Sequence, residues 1–140
     1  MIYTTNSPEE TKKVGYDLAK EMAEGNRRYI ALRGEMGVGK TAFTAGFCSY
    51  FDIKAVKSPT YTVMNEYRGR GAVVYHFDMY RITDGDDLYS IGYDDYLESG
   101  AYVLVEWSEN IEDFIPSDAL TVTIERCDSS ESERRINIEY

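Results

Sequence analysis

Apolar and polar positions alternate along the chain with two periods, and the change of period marks the elements. Tyr29-Ile30-Ala31-Leu32 and Tyr102-Val103-Leu104-Val105 are apolar throughout, the pattern of short buried strands. Thr62 to Tyr67 and Ala72 to Phe77 read as two strands, with Arg68-Gly69-Arg70-Gly71 as the hairpin turn between them. Leu120 to Glu125 and Arg135 to Glu139 alternate like strands, and Ile124, Ile136 and Ile138 supply their inner face. The polar stretch Cys127 to Glu133 reads as a mobile turn between them.

Helical spacing appears elsewhere. Ser7-Pro8-Glu9-Glu10 starts a helix: Ser7 caps, Pro8 suits the first turn and Glu10 completes a capping box. Val14, Leu18 and Met22 form its apolar stripe and Gly25 stops it. Ala42 to Phe51 reads as a second helix. Asp84 to Ser99 holds Leu88, Ile91, Tyr96 and Leu97 and predicts one or two short helices, broken near Gly92 and ended by Gly100. Its acidic residues read as a solvated face.

Strands alternating with helices predict an α/β fold. With no internal repeat and no linker, residues 1–140 are expected to form a single domain.

Composition narrows the partners. Hydrophobic residues make up 43% of the chain and charged residues 29%, as in a folded soluble protein. No apolar run reaches the roughly 18 residues of a membrane span. Met1 to Asn6 lacks the basic and apolar regions of a signal peptide. Cys48 and Cys127 have no metal-ligand spacing and read as reduced thiols, so a cytoplasmic protein is expected. The formal net charge of −10 disfavours unaided nucleic-acid binding, because phosphates need Lys and Arg. Such a charge either keeps the domain soluble or docks a basic partner.

The most informative stretch is Gly34-Glu35-Met36-Gly37-Val38-Gly39-Lys40-Thr41. It matches G-x-x-x-x-G-K-[ST] and lies between a buried strand and a helix. Glycines let the backbone curl until its N–H groups face a polyphosphate, and the following helix adds its positive end. Lys40 can reach the β- and γ-phosphates, and the Thr41 hydroxyl can ligate Mg²⁺. Three further segments bear on the same chemistry. Ser58 and Thr60 flank Pro59 on a loop after the phosphate-loop helix, where a hydroxyl can meet a γ-phosphate or its metal; an ordinary loop has the same composition. Asp78 ends the second apolar strand, where phosphate-loop ATPases carry a carboxylate that helps hold Mg²⁺. His76, two residues back, reads as a hydrogen-bonded, partly buried side chain rather than a base. Glu106 and Trp107 follow the last apolar run. In open α/β sheets, ligands sit beyond the carboxyl ends of parallel strands, so the phosphate loop, Asp78 and Glu106 should converge there. Glu106 would serve Mg²⁺ or an attacking water, or lie at the surface. Trp107 would cover the nucleotide or pack in the core. The start of the first helix is one place for the base. Arg81 is a possible arginine finger, although a surface salt bridge is the commoner fate.

Taken together, the phosphate loop, Ser58-Pro59-Thr60-Tyr61, Tyr75-His76-Phe77-Asp78-Met79-Tyr80-Arg81 and Val105-Glu106-Trp107 resemble the TsaE (YjeE) family of bacterial tRNA threonylcarbamoyladenosine biosynthesis ATPases. The resemblance covers roughly residues 8 to 126; the region after Cys127 is not diagnostic. It implies a P-loop NTPase-like three-layer sandwich, with a mixed, mostly parallel sheet between helices and antiparallel hairpins attached. It implies slow hydrolysis of ATP with Mg²⁺, dependent on TsaB-like and TsaD-like partners, with tRNA reached only through that complex. By motif, Met36, Gly37, Val38, Gly39, Lys40 and Thr41 would bind phosphates, and Thr41 and Glu106 would hold Mg²⁺. Asp78 would serve the metal or the water, Thr60 the nucleotide-sensing loop, and Trp107 would lie close to the nucleotide. Lys40, Asp78 and Glu106 are thus the catalytic candidates, in a chain expected to be a monomer when alone. Two other readings stay open: a small phosphotransferase, which lacks a visible acceptor site or lid, and a non-catalytic nucleotide-dependent switch. No Asn-Lys-x-Asp motif argues for a GTPase.

Overall fold

The computed structural model describes residues 1–60, 62–82 and 84–140; Tyr61, part of one motif above, lies outside them. The strands are β1 (Ile2–Thr5), β2 (Tyr29–Arg33), β3 (Met64–Gly69), β4 (Ala72–Asp78), β5 (Tyr102–Glu106), β6 (Leu120–Cys127) and β7 (Ser130–Glu139). The helices are α1 (Pro8–Ala23), α2 (Lys40–Ser49), α3 (Gly85–Ser90) and α4 (Tyr93–Glu98), with a 3₁₀ segment over Ser108–Phe114.

All strands join one seven-stranded sheet in the order β1-β7-β6-β2-β5-β4-β3. The central four, β6-β2-β5-β4, are parallel to one another. β3 pairs antiparallel with β4 at one edge, and β7 with β6 and β1 at the other. The sheet is therefore mixed, with its parallel part at the centre. β2 and β5 are apolar because neighbours flank them on both sides and helices cover both faces.

Alternate residues sort onto the two faces. Ile30, Leu32, Val74 and Leu104 pack with Leu18 and Met22 of α1 and Phe43 and Phe47 of α2. Ala31, Phe77, Val103 and Val105 pack with Leu88, Tyr93 and Ile111 from the other helical layer. On the first face α1 and α2 approach closely at two glycines. A Cβ on Gly15 would run into the backbone of Phe43, and one on Gly46 into the backbone of Lys12.

α1 starts at the Ser7 cap as expected, and the Ser7 hydroxyl accepts from the N–H of Glu10. Glu10 reaches back to the N–H of Asn6, one residue before the cap, rather than to the Ser7 N–H of a capping box. The acidic region divides into α3 and α4, with Gly92 at φ 77° between them. β3 starts and ends two residues later than its pattern predicted, so the hairpin turn is Arg70-Gly71 rather than Arg68 to Gly71, and two further features depart from the sequence reading. β1 was not expected; it is an edge strand held by its ladder to β7. The stretch Cys127 to Glu133 is not a long turn. β7 already begins at Ser130, so Asp128 and Ser129 make the turn, and the ladder carries polar side chains because this end of the hairpin faces water. Among the described residues, no helix is long and apolar enough to cross a membrane.

Candidate nucleotide site

The carboxyl ends of β2, β4 and β5 lie side by side. Leu32 and Asp78 are both register partners of Glu106. Beyond β2 the chain curls through Gly34–Gly39 into α2. Gly34 (φ 150°), Gly37 (φ 74°) and Gly39 (φ 120°) occupy backbone conformations that side chains disfavour. No side chain caps α2, so its first N–H groups lack both a cap and intrahelical acceptors.

Lys40 is the first residue of α2 and is only 6% exposed. Its ammonium donates to the Gly34 carbonyl at 2.7 Å, stands 3.8 Å from Glu106 Oε1 and sits 4.8 Å from the Trp107 ring centre. Glu106 is 5% exposed and its Oε2 lies 2.5 Å from His76 Nε2. His76 is fully buried, more than the sequence reading expected. Asp78 is 6% exposed, and its Oδ1 accepts from the N–H of Tyr80 at 2.9 Å.

These groups open on a cavity of about 520 Å³. Met36, Gly37, Gly39, Lys40 and Thr41 line it from the loop and α2. Thr60, Asp78, Glu106 and Trp107 line it from the strand ends and the loop before β3. Every candidate site residue except Val38 therefore borders one cavity. The Val38 side chain is 2% exposed and packs in the core, so only its backbone is available to the loop. Ser58 and Thr60 share a hydrogen bond at 2.7 Å on the cavity wall. Trp107 both borders the cavity and packs on the second core cluster, against Tyr80 at 5.0 Å. Its φ of 58° is uncommon for a residue with a side chain. Arg81, expected in a surface salt bridge, instead lines the cavity and pairs with no described carboxylate. The chain turns out of β4 directly over the site, which carries Tyr80 and Arg81 to its rim. The start of α1 lies across the loop, where Ser7, Pro8 and Thr11 border a second cavity of about 160 Å³.

The donor set suits a hard divalent cation beside phosphates. Two buried carboxylates end adjacent strands, and only Glu106 stands within ion-pair distance of the Lys40 ammonium; a buried charge needs a partner. Among the described residues, no group of three His, Cys, Asp or Glu side chains is placed to hold a metal. Magnesium needs no such cage; it is commonly held by one or two carboxylates together with waters and substrate phosphates.

Two residues that sequence reasoning missed touch the phosphate loop. Arg126 of β6 reaches Glu35 at 3.2 Å and the Met36 carbonyl at 3.4 Å. Arg134 of β7 donates through Nε to the Val38 carbonyl at 2.9 Å. Both lie about ninety positions from their partners, and no local pattern signals such contacts.

A family model described as threonylcarbamoyl adenosine biosynthesis protein TsaE matches residues 5–136. A tRNA threonylcarbamoyladenosine biosynthesis protein TsaE from Bacillus subtilis is 36% identical over 132 residues, covering 94% of this chain and 81% of that protein. The protein of the same name from Rickettsia conorii is 31% identical over 131 residues, covering 92% and 73%. The crystal structure of Bacillus subtilis YdiB matches with a TM-score of 0.80 at 31% identity, over 99% of this chain and 83% of that one. The family model and the relatives agree across nearly the whole chain: the chain belongs to the TsaE family.

Proposed function

We propose that the larger cavity binds ATP with Mg²⁺, and that the chain hydrolyses ATP slowly in support of threonylcarbamoyladenosine formation on tRNA. The family assignment supports the pathway. The observation that carries the chemistry is Lys40, buried between the Gly34 carbonyl and the Glu106 carboxylate at the mouth of a glycine loop.

In this reading the loop amides and the N-terminus of α2 hold the phosphates. Lys40 exchanges the Gly34 carbonyl for phosphate oxygens, which carry more charge. Thr41 and Glu106 hold the magnesium, and His76 fixes the Glu106 carboxylate by occupying Oε2. Asp78 orients the attacking water or completes the metal shell. Bound Mg²⁺ would neutralise charge that develops on the phosphate oxygens. Trp107 and Tyr80 limit water at the rim, and Thr60 senses the terminal phosphate. The small cavity beside α1 is the place for the base.

The sheet common to both core clusters supports one domain over residues 1–140. The reading further takes the chain as cytoplasmic, monomeric when alone, and active with TsaB-like and TsaD-like partners that contact the tRNA. Steady-state turnover with and without those partners tests it. Partners should raise ATP hydrolysis, and Lys40→Ala and Glu106→Ala should each abolish the increase. Wild-type turnover by Glu106→Ala would remove that carboxylate from the mechanism.

A further inference from the structure

A phosphate-binding loop has two sides. When its N–H groups turn inward, its carbonyls turn outward and need donors of their own. Three loop carbonyls here meet cationic side chains at alternate positions. Gly34 meets Lys40 at 2.7 Å, Met36 meets Arg126 at 3.4 Å, and Val38 meets Arg134 at 2.9 Å. Lys40 is destined for phosphate, but neither arginine lines the larger cavity, so both can stay when the phosphates enter; Arg134 also borders the small cavity beside α1.

Arg134 is also fastened to its own strand. One terminal nitrogen donates to the carbonyls of Glu131 and Glu133. Its guanidinium is thus a rigid bridge between the β6–β7 hairpin and the loop. Arg126 makes a second, more exposed bridge through Glu35. The outer end of the hairpin is otherwise polar, yet among the described residues it is the part of the chain beyond α2 that reaches the loop through charged donors.

We infer that Arg134, assisted by Arg126, is a positioning residue that holds the phosphate loop in its anion-ready shape before any nucleotide binds. This deepens the nucleotide reading above and rests on it. A loop held ready loses less conformational freedom on binding, so the gain appears as affinity. Turnover at saturation, set by Lys40 and the two carboxylates, should scarcely change.

The test compares wild type, Arg134→Gln and Arg126→Gln, titrated calorimetrically with two probes in Mg²⁺: ATP, and inorganic tripolyphosphate, which lacks the base. Arg134→Gln should weaken both probes about tenfold, the size expected for one hydrogen bond from a charged donor. Arg126→Gln, more exposed, should weaken both about threefold. The kcat of each variant at saturating ATP should stay within about twofold of wild type while KM rises. Weaker ATP binding by Arg134→Gln with unchanged tripolyphosphate binding would place Arg134 at the base and overturn the inference. Unchanged binding of both probes by both variants would also overturn it, as would a fall in kcat that tracks a fall in melting temperature. A wild-type chain that binds neither probe would remove the nucleotide reading and this inference together; failure in the variants alone removes only this one.

Discussion

His76 Nε2 lies 2.5 Å from Glu106 Oε2 beneath the floor of the cavity, while the other oxygen of the same carboxylate faces Lys40 at 3.8 Å. The histidine is fully buried on β4 and the glutamate ends β5, so the bond joins the two strands that supply the acidic side chains. Its consequence is orientation. With Oε2 occupied, only Oε1 is directed toward the lysine.

Replacing His76 by Leu removes that partner and leaves a buried carboxylate oxygen unmatched. Such a loss costs about 1–3 kcal/mol. Urea unfolding of His76→Leu should show a decrease of that size, and partner-stimulated turnover should fall as Glu106 loses its fixed orientation. A variant as stable and as active as wild type would mean that the bond orients nothing.

Asp78 and Glu106 are register partners at the ends of adjacent parallel strands, an arrangement that the proposed function explains by metal binding rather than by stability. Asp78→Asn retains an oxygen to accept from the Tyr80 N–H, while removing one of the two like charges. The apo variant should melt higher than wild type by a few degrees, as expected for about 1 kcal/mol, and hydrolyse ATP far more slowly. Differential scanning calorimetry and a turnover assay read the two effects. A lower melting temperature would show that the neighbouring charges are not in conflict.

Gly15 and Gly46 set the distance between α1 and α2. Because an added Cβ would meet backbone rather than a flexible side chain, relief requires the helices to separate. Gly46→Ala should destabilise by at least about 1–3 kcal/mol, the cost of overpacking. Chemical denaturation provides the value, and a loss below the error of the measurement would contradict the close approach.

The two cysteines should behave differently. Cys48 is fully buried in α2, and burial pushes its thiol up to about 12. Cys127 is half-buried at the end of β6. A disulfide reagent should modify Cys127 in the native protein and Cys48 only after unfolding. The raised Cys48 value also fixes a sign. The unfolded thiol ionises near pH 9 and the folded one near 12, so folding stability is intact below 9 and declines as pH rises toward 12. Buried Tyr29 and Tyr93 are raised in the same direction. Wild type should therefore lose stability above pH 9 more steeply than Cys48→Ala; equal slopes would exclude the thiol as a contributor.

What the sequence disclosed follows from how locally each feature is encoded. The strand before the loop, the loop and the helix after it are adjacent in the chain, and their apolar pattern and glycines sufficed. Asp78 and Glu106 could be brought together in advance because parallel strands present their carboxyl ends on one edge. β1 was hidden, since an edge strand is held by main-chain hydrogen bonds that leave no apolar signature. The hairpin was read too short for the same reason, its outer half being polar on both sides. Arg126 and Arg134 were out of reach because their partners are set by the path of β6 and β7 past the loop, not by any neighbouring residue.

The central claim is that the loop, Lys40 and the two strand-end carboxylates hold a triphosphate with its magnesium. Titration calorimetry of the wild-type chain with ATP measures this most directly, in Mg²⁺ and in excess chelator. One molecule of ATP per chain should bind in Mg²⁺, weaken without it, and be lost in Lys40→Ala. Absence of any binding heat in Mg²⁺, with TsaB-like and TsaD-like proteins also present, would contradict the account.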